Sequence, residues 1–177
     1  MKKPLLSLAF VLMSACLTAE EAKQPETPYK FEMGFETPVK RGYAPNTKNK
    51  IFVAPSKEIS FDDSGAKSHS GKGAIALKQG ESLTMDVFNL QSGKTYTMTA
   101  WVRAEQPGVK AAIRFVWFTG SKAFKVDNRT LAPADAEWTK LSQTVKAPEG
   151  FTHAYFVFDG GSKDVPVWFD DFSVTEE

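Results

Sequence analysis

One cysteine in 177 residues, Cys16, leaves nothing for an intramolecular disulfide and excludes a zinc site built from several thiolates. Histidine is almost as scarce. Only His69 and His153 are available for base or metal chemistry, and neither a His-Glu-x-x-His motif nor a glycine-rich phosphate loop occurs. Charge of either sign is not in excess: 22 basic against 21 acidic residues give a formal charge of +1. Nucleic acid, which calls for a strongly basic surface, is therefore not an expected partner. No apolar run reaches the ~20 residues of a membrane-spanning helix, and no stretch of about ten or more residues carries a helical period.

What is present at the start of the chain is an export pattern. Lys2 and Lys3 precede an apolar run from Leu5 to Met13, followed by Ser14, Ala15 and Cys16, which reads as a signal peptide over residues 1–19. The segment Met13-Ser14-Ala15-Cys16 looks like a bacterial lipobox, with Met13 in place of the usual leucine, and makes Cys16 the lipidation candidate. The other open reading is ordinary cleavage after Ala19, which discards Cys16. Residues 20–29, polar and proline-containing, read as a tether. Residues 30–177 form one domain of ordinary size. The expectation is an exported protein, a lipoprotein of the outer membrane or cell surface that meets the membrane through its lipid alone. Without lipid it would be periplasmic or extracellular.

Within the domain the pattern is β throughout, as short alternating runs broken by Gly, Pro, Asn and Asp. Strands are expected near residues 51–53, 74–78, 82–88, 95–103, 111–118, 139–146, 153–159 and 165–174. The fold class that follows is all-β, a two-sheet antiparallel β-sandwich of jelly-roll type.

Alternation assigns faces. From Thr95 to Arg103, Tyr96, Met98, Ala100 and Val102 form a core side, while Thr99, Trp101 and Arg103 share the side that meets water. A large aromatic there needs a reason. An indole can carry the C–H face of a pyranose while Arg and Asp hydrogen-bond its hydroxyls, or a loop or second sheet edge can cover it. From His153 to Asp159, Tyr155 and Asp159 fall on the non-core side and suit a sugar. Arg114 marks the polar side of its own strand, with Trp117 in the core. Because consecutive jelly-roll strands often switch sheets, Arg114 is not required to share a surface with Trp101 and Tyr155. The ligand-binding candidates are thus Trp101, Arg103, Tyr155, Asp159, Thr99 and Arg114.

Several motifs recur in a fixed order: Gly34-Phe35-Glu36, His69-Ser70-Gly71-Lys72, Gly93-Lys94-Thr95-Tyr96 running into Ala100-Trp101-Val102-Arg103, Trp138, and Trp168-Phe169-Asp170-Asp171-Phe172. Together they resemble carbohydrate-binding modules of families 4, 9 and 22, over nearly all of residues 30–177. The resemblance implies a galactose-binding-like jelly roll, non-catalytic binding of a polysaccharide or glycan, and a scaffold role for Trp138 and Trp168. It also implies a structural Ca²⁺ held by Glu36, by main-chain oxygens around Lys67 to Lys72, and by Asp170 or Asp171, hard oxygens of the kind calcium takes. The other reading is that Glu36 and Asp171 face solvent or pair with lysines. The segment from Pro38 to Lys50 departs from the family pattern, holding Tyr43 where members often carry a tryptophan.

Catalysis is not expected. Adjacent strand residues point to opposite faces, so neither Asp62-Asp63 nor Asp170-Asp171 should flank one glycosidic bond. The function expected is sugar binding on an exposed aromatic. The alternatives are a cell-envelope assembly module with envelope-protein partners and, last, an accessory hydrolytic role.

Overall fold

The computed structural model describes residues 27–39, 42–43, 50–54, 59–87, 89–127, 130–134 and 136–177. The expected export segment, Cys16 and residues 20–26 of the expected tether lie outside them. Thirteen strands follow in order: β1 (Lys30–Met33), β2 (Gly42–Tyr43), β3 (Lys50–Ala54), β4 (Ser60–Asp62), β5 (Ala74–Leu77), β6 (Ser82–Val87), β7 (Thr95–Ala104), β8 (Val109–Thr119), β9 (Lys122–Val126), β10 (Thr130–Ala134), β11 (Thr139–Lys146), β12 (His153–Gly160) and β13 (Val167–Glu176). Among the described residues there is no helix.

Two sheets face each other. One has six strands, ordered β11-β7-β13-β5-β4 with β1 also on β13; the other has seven, ordered β10-β8-β12-β6-β3-β2 with β9 also on β8. Every pairing is antiparallel. The protein is an antiparallel β-sandwich, as alternation and turn spacing predict. The expected strands all form within a few residues of their expected limits. Those not expected are β1, β2, β4, β9 and β10, none longer than five residues. Each is too short to show a period, and its pairing comes from a longer neighbour.

Burial follows the alternation. Tyr96, Met98, Ala100, Val102 and Ala104 of β7 are fully buried, as are Ile113, Phe115 and Trp117 of β8 and Ala154, Phe156 and Phe158 of β12. Aromatic rings from opposite sheets meet edge to face between the layers: Phe158 lies 5.7 Å from Phe169 and 4.8 Å from Phe172, and 6.4 Å from Phe35. Each buried phenylalanine contributes about 1.5–3 kcal/mol, and each edge-to-face pair about 0.5–1.5 more. This aromatic seam holds β12 of one sheet over β13 of the other.

Residues 62–73 cross from β4 to β5 as a compact loop. The Asp62 carboxylate accepts the Ser64 hydroxyl at 2.9 Å and the Lys67 N–H at 3.2 Å, and Gly65 N–H donates to Lys72 O at 3.1 Å. Two glycines let the loop close on the segment after β1. A Cβ at Gly73 would stand 2.1 Å from Phe35 O, and one at Gly71, whose φ is +57°, would stand 1.9 Å from Glu36 Oε1.

Candidate functional site

The six ligand-binding candidates do not form one site. Thr99, Trp101 and Arg103 lie on β7 of the six-stranded sheet, whereas Arg114 lies on β8 and Tyr155 and Asp159 on β12 of the seven-stranded sheet. The two groups occupy opposite outer faces of the sandwich. Alternation along one strand fixes which residues point away from the core, but not which sheet the strand joins. Arg114 accordingly shares a surface with Tyr155, and Trp101 does not.

Trp101 does point outward, and it is half-buried there. The 62–73 loop covers it: the His69 ring stacks on the indole with centroids 3.9 Å apart and 15° between planes, and meets Trp138 edge to face at 5.6 Å. Lys67 Nζ stands 5.9 Å above Trp168. Arg103 Nε, Trp138 Nε1 and Trp168 Nε1 are buried under this roof without acceptors. Thr99 Oγ1 is 2.8 Å from Ser173 Oγ. Trp101 is therefore roofed on one side and open on another: the 62–73 loop lies over part of the indole, and Trp101 also lines a depression of about 400 Å³ with Thr99, Lys140, Asp171 and Ser173.

The loop is fastened by the doublet on β13. Asp170 has no exposed surface; its Oδ2 accepts His69 N–H at 2.8 Å and Ser70 N–H at 3.1 Å, and its Oδ1 accepts Asp171 N–H at 2.7 Å. Burial holds its carboxyl above the ordinary carboxylate range, with those amides pulling the other way. Asp171 contacts the same two loop residues, through His69 Nδ1 at 2.6 Å and the Ser70 hydroxyl at 2.7 Å. Both carboxylates thus turn to one loop, contrary to the opposite faces that alternation predicts. The pairing of β13 with β7 shifts register between Asp170 and Ser173, and Asp171 sits at φ +43°, so alternation is broken there.

The same region answers whether calcium fits. A Cβ on Gly34 would lie 3.7 Å from both Asp171 Oδ1 and Glu36 Oε1, so carboxylates from the first and last segments face one spot. Glu36 Oε2 accepts Lys72 N–H at 3.0 Å. Among the described residues no three or more His, Cys, Asp or Glu are grouped to hold a metal, so a cation here would draw most of its oxygens from the main chain, as Ca²⁺ does. Glu36 and Asp171 carry oxygens of that kind, each already with a partner: Lys72 N–H at Glu36 Oε2, and the Ser70 hydroxyl and His69 Nδ1 at the two Asp171 oxygens. Asp170 is engaged with three amides, and Lys72 has only its carbonyl to offer, which already accepts from Gly65.

The outer face of the seven-stranded sheet is different in kind. Its rows read off the strand register: His153 beside Phe118; Asp86, Tyr155 and Val116 abreast; Thr84, Val157 and Arg114; then Ser82, Asp159 and Ala112. At one end the rings gather, Phe118 lying 4.8 Å from His153 and 4.4 Å from Tyr155, with His153 and Tyr155 5.4 Å apart. At the other, Arg114 Nη2 is 3.4 Å from Asp159 Oδ2, and Arg114 Nε is buried without an acceptor. Here a depression of about 560 Å³ is lined by Ser82, Lys110, Ala112, Arg114, Asp159 and the Gly160–Gly161 turn, among others. Burial, and then the charge of Asp86, hold the Tyr155 hydroxyl above the ordinary phenol value. It is a neutral donor at physiological pH.

Sequence reading named His153 only for base or metal chemistry and did not single out Phe118 or Asp86. The strand parity that exposed Tyr155 also exposes His153, and the parity that exposed Arg114 exposes Phe118. What was missing was the pairing that sets them side by side.

The two-sheet sandwich has the jelly-roll fold seen in solved carbohydrate-binding modules. No protein-family model matches the chain, and no curated protein matches it in sequence. Solved structures do. The CBM22-1 xylan-binding domain of Paenibacillus barcinonensis Xyn10C superposes with TM-score 0.57 at 11% identity, covering 82% of this chain and 92% of that one. A CBM4 module gives 0.58 at 16%, covering 81% and 97%. TmCBM61, solved with β-1,4-galactotriose, gives 0.53 at 21%, covering 81% and 94%. At these identities the likeness establishes the fold.

The roof over Trp101 is open to direct measurement. His69→Ala should cost about 1 kcal/mol in denaturant unfolding and red-shift the tryptophan emission. Asp170→Ala, which strands three amides, should cost about 3 kcal/mol or more.

Proposed function

We propose that the protein is a non-catalytic carbohydrate-binding module whose ligand lies on the outer face of the seven-stranded sheet. One observation carries this reading: a ring cluster of Phe118, His153 and Tyr155 and a polar depression holding Arg114 and Asp159 share one face. A pyranose has an apolar C–H face and an equatorial rim of hydroxyls. The rings accept the first, and the guanidinium, the carboxylate and the Tyr155 hydroxyl bind the second. Acids and bases are both present in the site, with Arg114 and Lys110 against Asp159 and Glu81, which suits an uncharged glycan. Solved relatives of the fold named for xylan binding or holding a β-1,4-galactotriose support the same ligand class.

We propose also that Ca²⁺ binds between Glu36, Asp171 and main-chain oxygens of residues 67–72, joining the loop to both ends of the domain. When bound, the ion would supply charge to balance the two carboxylates. Export through residues 1–19 and lipid attachment at Cys16, with a tether that ends before Tyr29, whose ring packs on Tyr96, complete the proposal.

Three measurements test it. In affinity electrophoresis against soluble glucans, xylans, galactans and mannans, Tyr155→Ala and Asp159→Ala should abolish retardation while Trp101→Ala keeps it, each variant remaining folded by circular dichroism. Retardation lost in Trp101→Ala alone would move the ligand to the six-stranded sheet. Calcium at about 100 times its dissociation constant should add about 2.7 kcal/mol and raise Tm by about 5–10 °C; chelator or Glu36→Gln should remove the rise. Cys16→Ser should shift the expressed protein from the detergent phase to the aqueous phase.

A further inference from the structure

Phe124 and Val126 are the exposed large hydrophobics among the described residues, at 46% and 55% of their full surface. Both lie on β9, a five-residue strand paired with the end of β8. Two such side chains on one short strand, where the other large apolar groups among the described residues are at least partly covered, call for an occupant.

Their place on the sheet says where that occupant runs. Val126 is the cross-strand partner of Val116, and Val116 is the partner of Tyr155. Partners share a face, so Tyr155, Val116 and Val126 stand in one row across three strands. At about 4.8 Å per strand, Val126 is about 10 Å from Tyr155. Ala123 pairs with Phe118, and the bulge between Trp117 and Phe118 places Phe124 as the extra residue between Ala123 and Lys125. Val126 therefore extends the row of Tyr155 and Val116, and Phe124 stands at the bulge two residues before it.

A second strand docking on the edge of β9 is disfavoured by its own residues. Lys122 and Lys125 flank Phe124 in a strand of five, and lysine on a short edge strand is a device that blocks pairing. Lys125 is held by Asp127 at 3.0 Å. A row of ring and aliphatic surface edged by cations, with its backbone edge guarded, suits a ligand that lies across side chains.

We propose that the β8–β9 hairpin is an outlying subsite of the glycan face, in which Phe124 and Val126 receive a sugar unit beyond the one on Tyr155 and Phe118. This rests on the carbohydrate-binding reading above and adds that recognition depends on chain length. A disaccharide reaches the ring cluster and the Arg114–Asp159 depression; only a longer chain also reaches β9.

The test is calorimetry of the purified protein with xylo-, cello- and β-1,4-galacto-oligosaccharides, comparing disaccharide with hexasaccharide. Phe124→Ala should weaken binding of the recognised hexasaccharide by about five- to tenfold and leave the disaccharide unchanged, whereas Tyr155→Ala weakens both. Phe124→Leu should recover part of the hexasaccharide loss. Unchanged hexasaccharide affinity in Phe124→Ala, or equal loss for both lengths, overturns the subsite while the carbohydrate-binding reading stands. A wild-type dimer in analytical ultracentrifugation that Phe124→Ala dissolves would assign the patch to a second copy and overturn it as well. Failure of wild type to bind any of these oligosaccharides and any polysaccharide of the electrophoresis panel would remove both readings together.

Discussion

A buried carboxylate cannot be left short of donors, and Asp170 meets that demand by drawing three amides onto itself. Two come from the loop after β4 and one from its own neighbour. To deliver that third amide, β13 departs from regular pairing and Asp171 takes a left-handed conformation. The departure turns the Asp171 side chain toward the loop as well, where it grips His69 and Ser70. His69 is thereby seated on Trp101. One desolvated acid thus places a roof over part of the six-stranded sheet, beside which a depression at Thr99, Trp101 and Lys140 stays open.

The two outer faces show how similar materials give different surfaces. On the six-stranded sheet, indoles and an arginine are packed beneath a loop, and three of their N–H groups are buried without acceptors. On the seven-stranded sheet, an ion pair lines a depression and a ring cluster stands at the other end of the same face. Aromatic content alone does not distinguish a stacking platform from a scaffold. The deciding quantity is which groups cover each ring.

Much of this molecule is legible in its sequence. The long strands β7, β8, β11 and β12 announce themselves because each carries a sustained alternation whose apolar half can be buried only one way. The outward direction of Trp101, Tyr155 and Asp159 follows from the same parity. Three things do not. Sheet membership is a long-range property, so nothing between Thr95 and Asp159 tells that Trp101 and Tyr155 lie back to back. The cover over Trp101 comes from His69, and its hold on Asp170 and Asp171 spans a hundred residues of chain. The bulge at Asp171 breaks the parity rule at the point where the rule had been used to separate two carboxylates. Short edge strands such as β9 are silent for a simpler reason: five residues with two lysines show no period.

Lys30 and Thr175 are register partners, and the Tyr29 N–H donates to the Glu176 carboxylate. The first and last strands therefore sit next to one another, both on the six-stranded sheet. Chain arriving at β1 or continuing past β13 departs on the side of the sandwich away from the rings of Tyr155 and Phe118. A unit built like this is a cassette: its first and last strands lie side by side on one sheet, and the face of Tyr155 and Phe118 belongs to the other.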